Sequence, residues 1–311
     1  MNFDHCIFSK LATDLCRVWL LIIRKSVRFN ENIIIQKKII MKKYILYITV
    51  IFFYFLGFSQ ESITKVSITT SETLEFYSEE LEETRKLNVY LPLGYDKNDS
   101  KAYPVIYLLD GSVNDGFTYI SGLAQFCAST LKTMPESIIV GIVNVDRTRD
   151  YTYPSRNQDD IIHFSTSGKS GKFIAFIDKE LLPLITEKYN TNEHRTIIGQ
   201  AFGGLLATEI LLTKTELFDN YILISPSLWW DNAFLVTANT ANILPKTKIY
   251  MAVWNRDPLS LKAVAKLMAQ LRLTNKLHPE KSLALTYDII KDNDHGNVVR
   301  TAMNNSFKSI K

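Results

Sequence analysis

Six residues constrain this chain more than any others: Gly199-Gln200-Ala201-Phe202-Gly203-Gly204. Ahead of them runs His194-Arg195-Thr196-Ile197-Ile198, short and β-branched, which reads as a buried strand. Behind them, Leu205-Leu206-Ala207-Thr208-Glu209-Ile210-Leu211-Leu212 reads as a helix. A strand, a glycine-bracketed turn and a helix make the frame of a nucleophile elbow. Such a turn lifts one side chain above the sheet, and glycines beside it let the backbone close up without a Cβ clash. The helix N-terminus then aims free N–H groups at the same point. The elbow pattern is G-x-S-x-G, and here its central residue is Ala201. The frame is present and the hydroxyl is not. A glycine-rich turn before a helix is also a common plain connection, so the rest of the chain has to decide.

The elbow strand has companions. Pro104 to Leu109 and Ser137 to Val143 are continuous apolar runs, which predicts strands buried on both faces. Gly116 to Lys132 between them is helical, giving a parallel βαβ unit. Tyr221 to Ile224, Lys248 to Val253 and Leu283 to Ile290 continue the series, with helices over Leu259 to Leu273 and Asn297 to Ile310. Phe173, Phe176, Ile177, Leu181, Leu184 and Ile185 recur at helical spacing before the elbow strand. Ser62 to Thr70 and Thr84 to Pro92 alternate polar and apolar residues and read as antiparallel edge strands. The pattern predicts a single α/β domain over 61–311, doubly wound and mostly parallel, with antiparallel strands at its beginning. Ser165 to Lys172, rich in Ser, Gly and Lys, reads as a mobile flap.

The first sixty residues are of another kind. Met41-Lys42-Lys43, the apolar run Tyr44 to Phe58 and the exit Ser59-Gln60 describe a secretory signal over 41–60. Its apolar core is shorter than the about 20 residues of a membrane span. Residues 1–40 fit neither a packed fold nor a usual targeting pattern. They read as sequence upstream of a true start at Met41, or else as an anchoring segment. Cleavage after the signal places the protein in the periplasm or outside the cell. Without the leader there is no stable membrane anchor. The net charge of +4 is concentrated there, with nine Lys or Arg against three Asp or Glu from Met1 to Lys43. The remainder is near neutral and gives no reason to expect nucleic acid as a partner. Of the three cysteines only Cys127 lies beyond the leader, so no internal disulfide follows, and no Cys/His spacing suggests a metal.

Chemistry-bearing residues gather where the predicted strands end. Serine hydrolases on such a sheet order their triad Ser…Asp/Glu…His. Ala201 holds the first place, Asp257 follows a later strand, and His295 follows the last one. His295 would be the general base and Asp257 would orient it, with Asp292 and Asp294 also near the histidine in sequence. The Phe202 N–H is placed by the elbow to donate to an oxyanion, and Gly111-Ser112 would supply its partner. Ser112 and Ser227 are the nearby hydroxyls, but neither sits on an elbow. Trp229 and Trp230, after Tyr221 to Ile224, suggest an aromatic wall beside the site, with core packing as the plainer role. Arg147 and Arg149, in the polar loop after Asn144, either hold a substrate carboxylate or brace the loop.

Several stretches together resemble the putative-esterase family of α/β-hydrolases, which includes enterochelin esterases, related ferri-siderophore esterases and esterase D. They are Tyr107-Leu108-Leu109-Asp110-Gly111, Val140 to Asn144 with Arg147-Thr148-Arg149-Asp150, Gly199 to Gly204, Ser225 to Asp231, and His295-Gly296. The resemblance implies hydrolysis of a small-molecule carboxylic ester with no cofactor. It sets His295 on the catalytic histidine, Asp257 where the acid lies (often Glu), and Gln200 where His is frequent. Ala201 falls on the nucleophile. That departure leaves two readings, an esterase whose serine is replaced and a pseudo-esterase that binds an ester or acyl ligand.

Overall fold

The computed structural model describes residues 31–56, 70–291 and 295–309. The chain divides into two compact units, Met1–Ser67 and Ile68–Lys311. In the first, the described part is one helix, α1 (Glu31–Leu56). Among the described residues no helix is long and apolar enough to cross a membrane. The exit of the expected signal and most of the expected strand Ser62–Thr70 lie outside the described residues.

The second unit is built on one eight-stranded sheet in the order β1-β2-β4-β3-β5-β6-β7-β8. Its strands are β1 (Ser71–Ser78), β2 (Glu83–Tyr90), β3 (Tyr103–Leu108), β4 (Ile138–Ile142), β5 (Thr191–Gln200), β6 (Asn220–Ile224), β7 (Lys248–Trp254) and β8 (Ala284–Ile290). β1 pairs antiparallel with β2, and β2 antiparallel with β4; every later pairing is parallel. The doubly wound architecture is as expected, and β1, the first described strand of the sheet, begins just after the expected strand Ser62–Thr70. In Ser71-Glu-Thr-Leu-Glu-Phe-Tyr-Ser, Leu74 and Phe76 face inward and pack on the core, Glu72 on the same face accepts from the Tyr189 hydroxyl, and Glu75 on the other face pairs with exposed Lys86. A half-buried strand needs no more than this alternation.

Side-chain alternation along the central strands feeds two cores, one on each face. Tyr107, Ile197 and Leu223 belong to one, with the elbow helix and the 173–185 helices packed over it. Leu108, Ile198 and Ile224 belong to the other, covered by α2 (Phe117–Ser129) and the closing helix, α9 (His295–Ser309). The helical run before β5 is broken in the middle. α5 (Ser170–Phe176) passes through one π-turn, Ile177–Leu181, into α6 (Leu182–Lys188). The π-turn carries Glu180, whose carboxylate accepts from the Glu80 N–H (2.9 Å) and the Ser78 hydroxyl, tying the β1–β2 hairpin to the helix layer.

The segment expected to be a mobile flap is pinned instead. The Lys169 N–H donates to Arg149 O (3.0 Å), the Ser170 N–H to Thr152 O (3.0 Å), and the Gly168 N–H to the Thr152 hydroxyl (2.9 Å). Its Ser/Gly composition serves tight turns against a neighbouring segment. That neighbour is α3 (Arg147–Tyr151), a short helix capped by Asp146, whose carboxylate accepts from the Arg149 N–H; a second short helix, α4 (Gln158–His163), follows it. Behind α3 lies a buried ion network. Arg85 is fully buried, bonds Asp150 (2.9 Å), Glu83 (2.7 Å) and Val143 O (3.1 Å), and lies over the Phe173 ring. Burial would raise the Glu83 carboxyl. Bonds from Arg149 and Arg85 outweigh it and hold the group below its ordinary range.

Candidate active site

The chain leaves β3 toward β4 on one side and later places β5 on β3's other side. That reversal opens a crevice at the carboxyl ends of β3 and β5, the usual ligand position in a doubly wound sheet. The elbow stands there. Ala201 has φ 51° and ψ −115°, a backbone region that side-chain-bearing residues rarely adopt. Such a residue costs on the order of 1–3 kcal/mol and persists only where its surroundings over-determine it. They do. The Ala201 N–H donates to Ile224 O (3.0 Å), and its carbonyl accepts from the Leu205 N–H (2.9 Å) and the Ser227 N–H (3.0 Å). A Cβ on Gly199 would stand 2.3 Å from Gly203 O, and one on Gly204 would stand 2.8 Å from the Pro226 Cβ. The glycines around position 201 are steric necessities of the bend. α7 (Phe202–Thr213) starts immediately after it, so the Phe202 N–H belongs to the helix's first turn and has no acceptor within the helix.

Position 201 opens on a cavity of about 670 Å³. Its floor is aliphatic, formed by Leu108, Ile120, Ile198, Ile224 and Met303, with Val299 on its wall. Its rim is polar, with Asp110, Asp115, Tyr119, Asn144, Arg147, Gln200 and Arg300. At the rim one cluster is locked. Arg147 donates from Nε and Nη2 to the two oxygens of Asp110 (2.7 and 3.1 Å), and from Nη2 to Gln200 O (2.9 Å), one residue from the elbow. Asn144 donates to the same Asp110 carboxylate. Asp110 itself sits at φ 56°, and its N–H donates to the hydroxyl of Tyr151 (3.2 Å). Burial, then the Asp110 charge, pushes the Tyr151 phenol well up, so that hydroxyl stays protonated.

The residues singled out from sequence divide into those the cavity gathers and those it does not. Ala201 lines it. Arg149 does not: its guanidinium is committed to Glu83 (2.6 and 2.9 Å) and Asp150 (2.7 Å), bracing α3, and Arg147 is the arginine that reaches the cavity. Trp229 and Trp230 also stay out of its lining. Trp230 is fully buried, donates from Nε1 to Tyr153 O (2.9 Å) and packs against Phe164 and Phe202; Trp229 is half-buried in the same group. The turn after them dictates this. Asp231, Asn232 and Ala233 are all left-handed, and buried Asp231 is clamped by the backbone N–H (2.8 Å) and guanidinium (2.9 Å) of Arg156. The turn directs the indole of Trp230 inward.

The Ser112 hydroxyl bonds Asp115 and organises the turn into α2. The neighbouring Gly111 N–H goes to Ile142 O (2.9 Å) and is not free to donate to a ligand. Ser227 is buried beside the elbow. Asp257 caps α8 (Pro258–Leu277), its carboxylate accepting from the Ser260 N–H (3.0 Å). His295 is the first residue of α9, and its side chain lies outside the described residues, as do Asp292 and Asp294. Among the described residues no group of His, Cys, Asp or Glu is arranged to hold a metal ion.

Sequence reasoning missed two things here. Asp110 is the anchor of the rim cluster, and its position at the end of a buried strand was the available signal. Glu209, on the elbow helix, is a half-buried acid whose Oε2 is shut away from solvent. Among the described residues, the buried Ser170 hydroxyl is the one nearby group that favours its charged form. Burial raises the Glu209 carboxyl to about 7, opposed only in part by nearby Ser170. The one charge in the helical octet Leu205 to Leu212 was its signal.

Residues 78–295 match the family model described as putative esterase. The ferri-bacillibactin esterase BesA of Bacillus subtilis is 28% identical over 194 residues, which span 58% of this chain and 64% of BesA, less than two thirds of that relative's length. The siderophore triacetylfusarinine C esterase of Aspergillus fumigatus is 29% identical over 213 residues, 63% of this chain and 72% of that protein. The solved structure of an IroE-like serine hydrolase from Shewanella oneidensis superimposes with a TM-score of 0.63 at 29% identity, covering 76% of this chain and 79% of that one. The match runs from the last residue of β1 to the first of α9. The chain therefore belongs to the putative esterase family, an ester-hydrolase-like protein on the α/β-hydrolase fold.

Proposed function

We propose that this chain is an exported protein acting on small-molecule carboxylic esters, with its chemistry limited at position 201. The observation that carries the reading is the backbone of Ala201: a strained bend, bolted by three hydrogen bonds and opening on a cavity, retained around a methyl group. Alanine gains nothing from such a bend, whereas a hydroxyl there would stand free above the sheet. The Phe202 N–H and, from the β3 loop, the Ser112 N–H would face the carbonyl oxygen as charge develops on it. His295 would serve as general base and Asp257 as the acid that orients it. With alanine in place, attack falls to water, His295 taking its proton and returning it to the departing alcohol. With serine in place, the same base opens the two-step acyl-enzyme route. The ester-hydrolysing relatives support the reaction class, and their names suggest siderophore esters as the first substrates to try.

Replacing Ala201 by Ser tests this. Loss of the serine in a comparable site costs about 10⁶ in kcat. Ala201→Ser should therefore raise hydrolysis of an activated aryl ester by roughly 10⁴-fold or more, and a further His295→Ala should remove the gain. A folded Ala201→Ser protein that stays at background on aryl and siderophore esters alike would refute the proposal. Export is inferred from Lys42-Lys43 and the apolar run that follows. N-terminal sequencing of the mature protein should begin near Gln60, and a mature chain retaining Met41 would overturn that part.

A further inference from the structure

The cavity beside position 201 and the aromatic group near it lie on opposite faces of the sheet. Phe202 and Trp230 belong to the core on one face, and Phe164 and Trp229 pack against that same core. Their rings contact one another at centroid distances of 5.2–6.3 Å, which leaves the rings filling each other's space. The cavity is on the other face. Its floor and wall are Leu108, Ile120, Ile198, Ile224, Val299 and Met303, from the ends of three strands, the first turn of α2 and α9. Among the described lining residues the single aromatic ring is Tyr119, 40% exposed at the mouth. The aromatic side chains that seemed suited to a ligand are spent on packing, and what a ligand meets is branched and straight aliphatic surface.

From this we infer that the ester held at position 201 carries an aliphatic chain, which enters the cavity between the sheet and helices α2 and α9. The ester group stays at the rim beside Arg147 and Asp110. The inference rests on the proposed ester chemistry for the identity of the reacting group, and on the cavity alone for the character of the chain. A volume of about 670 Å³ is in the range of small-molecule sites. An aliphatic lining gains from each methylene removed from water, while the shut aromatic cluster offers an aryl ring no stacking partner.

The test is binding to the chain as it stands, with Ala201, measured calorimetrically on ethyl acetate, ethyl butyrate, ethyl octanoate and ethyl benzoate. Affinity should rise by roughly fourfold per added methylene until the cavity is filled, and the benzoate should bind more weakly than the octanoate. Val299→Trp, which places a ring on the cavity wall, should cut octanoate affinity at least tenfold. Trp229→Leu, on the aromatic face, should leave the octanoate-to-acetate ratio where it was. No dependence on chain length, or tighter binding of the benzoate, would overturn the inference. Turnover by Ala201→Ser is read separately. An inactive serine variant with the chain-length series intact sinks the hydrolytic reading and leaves the aliphatic site standing; an active one with a flat series does the reverse.

Discussion

Position 201 is flanked by two surfaces on opposite faces of the same strands, and they are opposite in character. On one flank, Phe164, Phe202, Trp229 and Trp230 close on each other, and Trp230 is fully buried with its N–H on Tyr153 O. On the other, Leu108, Ile120, Ile198 and Ile224 line open space. The period-two alternation of β3, β5 and β6 gives each face an apolar row, so the difference does not arise in the sheet. It arises in what lies over it. The closed flank is sealed by large rings from a clamped left-handed turn, and the open flank is roofed by helices whose facing residues do not fill the gap. The contrast separates two jobs. The closed flank supports the elbow from behind, and the open flank is left to receive a ligand.

The largest break in this comparison should come from the closed flank. Trp230→Ala removes a fully buried ring and leaves an indole-sized void with Tyr153 O unbonded. Large-to-small changes of this kind cost about 3–5 kcal/mol. In a folded unit of this size that corresponds to a fall in Tm of roughly 10 °C. Urea unfolding would measure it, and a loss below about 1 kcal/mol would mean that the aromatic flank is surface rather than core.

A second effect, of intermediate size, depends on pH. Glu209 lies behind the closed flank, its carboxyl raised by burial to about 7 from the ordinary 4.5. Below pH 4.5 the folded and unfolded chains both hold the proton, and the group contributes nothing. As pH rises from there to about 7, the unfolded chain releases its proton while the fold keeps it, so stability falls across that window. Above it the penalty is constant, on the order of 2–3 kcal/mol. Glu209→Gln keeps the shape of the neutral acid and can donate to the Ser170 hydroxyl beside it. It should leave stability at pH 4 unchanged and raise it at pH 8 by about that amount. Equal effects at both pH values would show that the carboxylate is not desolvated in the native state.

These contrasts also explain what the sequence disclosed. The elbow was legible because its demands are local: a Cβ at Gly199 collides with Gly203 O whatever the rest of the chain does. The buried parallel strands were legible because continuous apolar runs have few other uses. The arginine pair was half legible. α3 bears Arg147 and Arg149 two residues apart, and only the tertiary placement of Glu83 and Asp110 decides which one reaches the cavity. The tryptophans misled because an indole after a strand suits a wall or a core equally, and the three left-handed residues that settle it carry no glycine to announce them. The lining from α2 and α9 could not be read at all. Ile120, Val299 and Met303 are ordinary apolar positions on amphipathic helices, and the gap they face is a property of how two helices sit over the sheet. β1 escaped because Glu72, on the same face as Leu74 and Phe76, shortens its inward apolar row to a single pair.

The smallest effect sharpens the comparison most. Val299 is half-buried, lines the cavity and packs at the edge of the core on the open flank. Val299→Ala deletes two methyl groups that already face space on one side. No sealed void forms, because the removed volume joins one that exists, and the cavity part of the usual truncation cost is absent. What remains is the partial burial of the two methyls, about 1 kcal/mol or less. Denaturant unfolding should therefore place Val299→Ala close to the unsubstituted chain and far from Trp230→Ala. Affinity for ethyl octanoate should fall by a few-fold in the same variant, since those methyls are surface the chain would cover. A stability loss comparable with that of Trp230→Ala would show that the open flank is packed as tightly as the closed one. The distinction between a supporting face and a receiving face would then be lost.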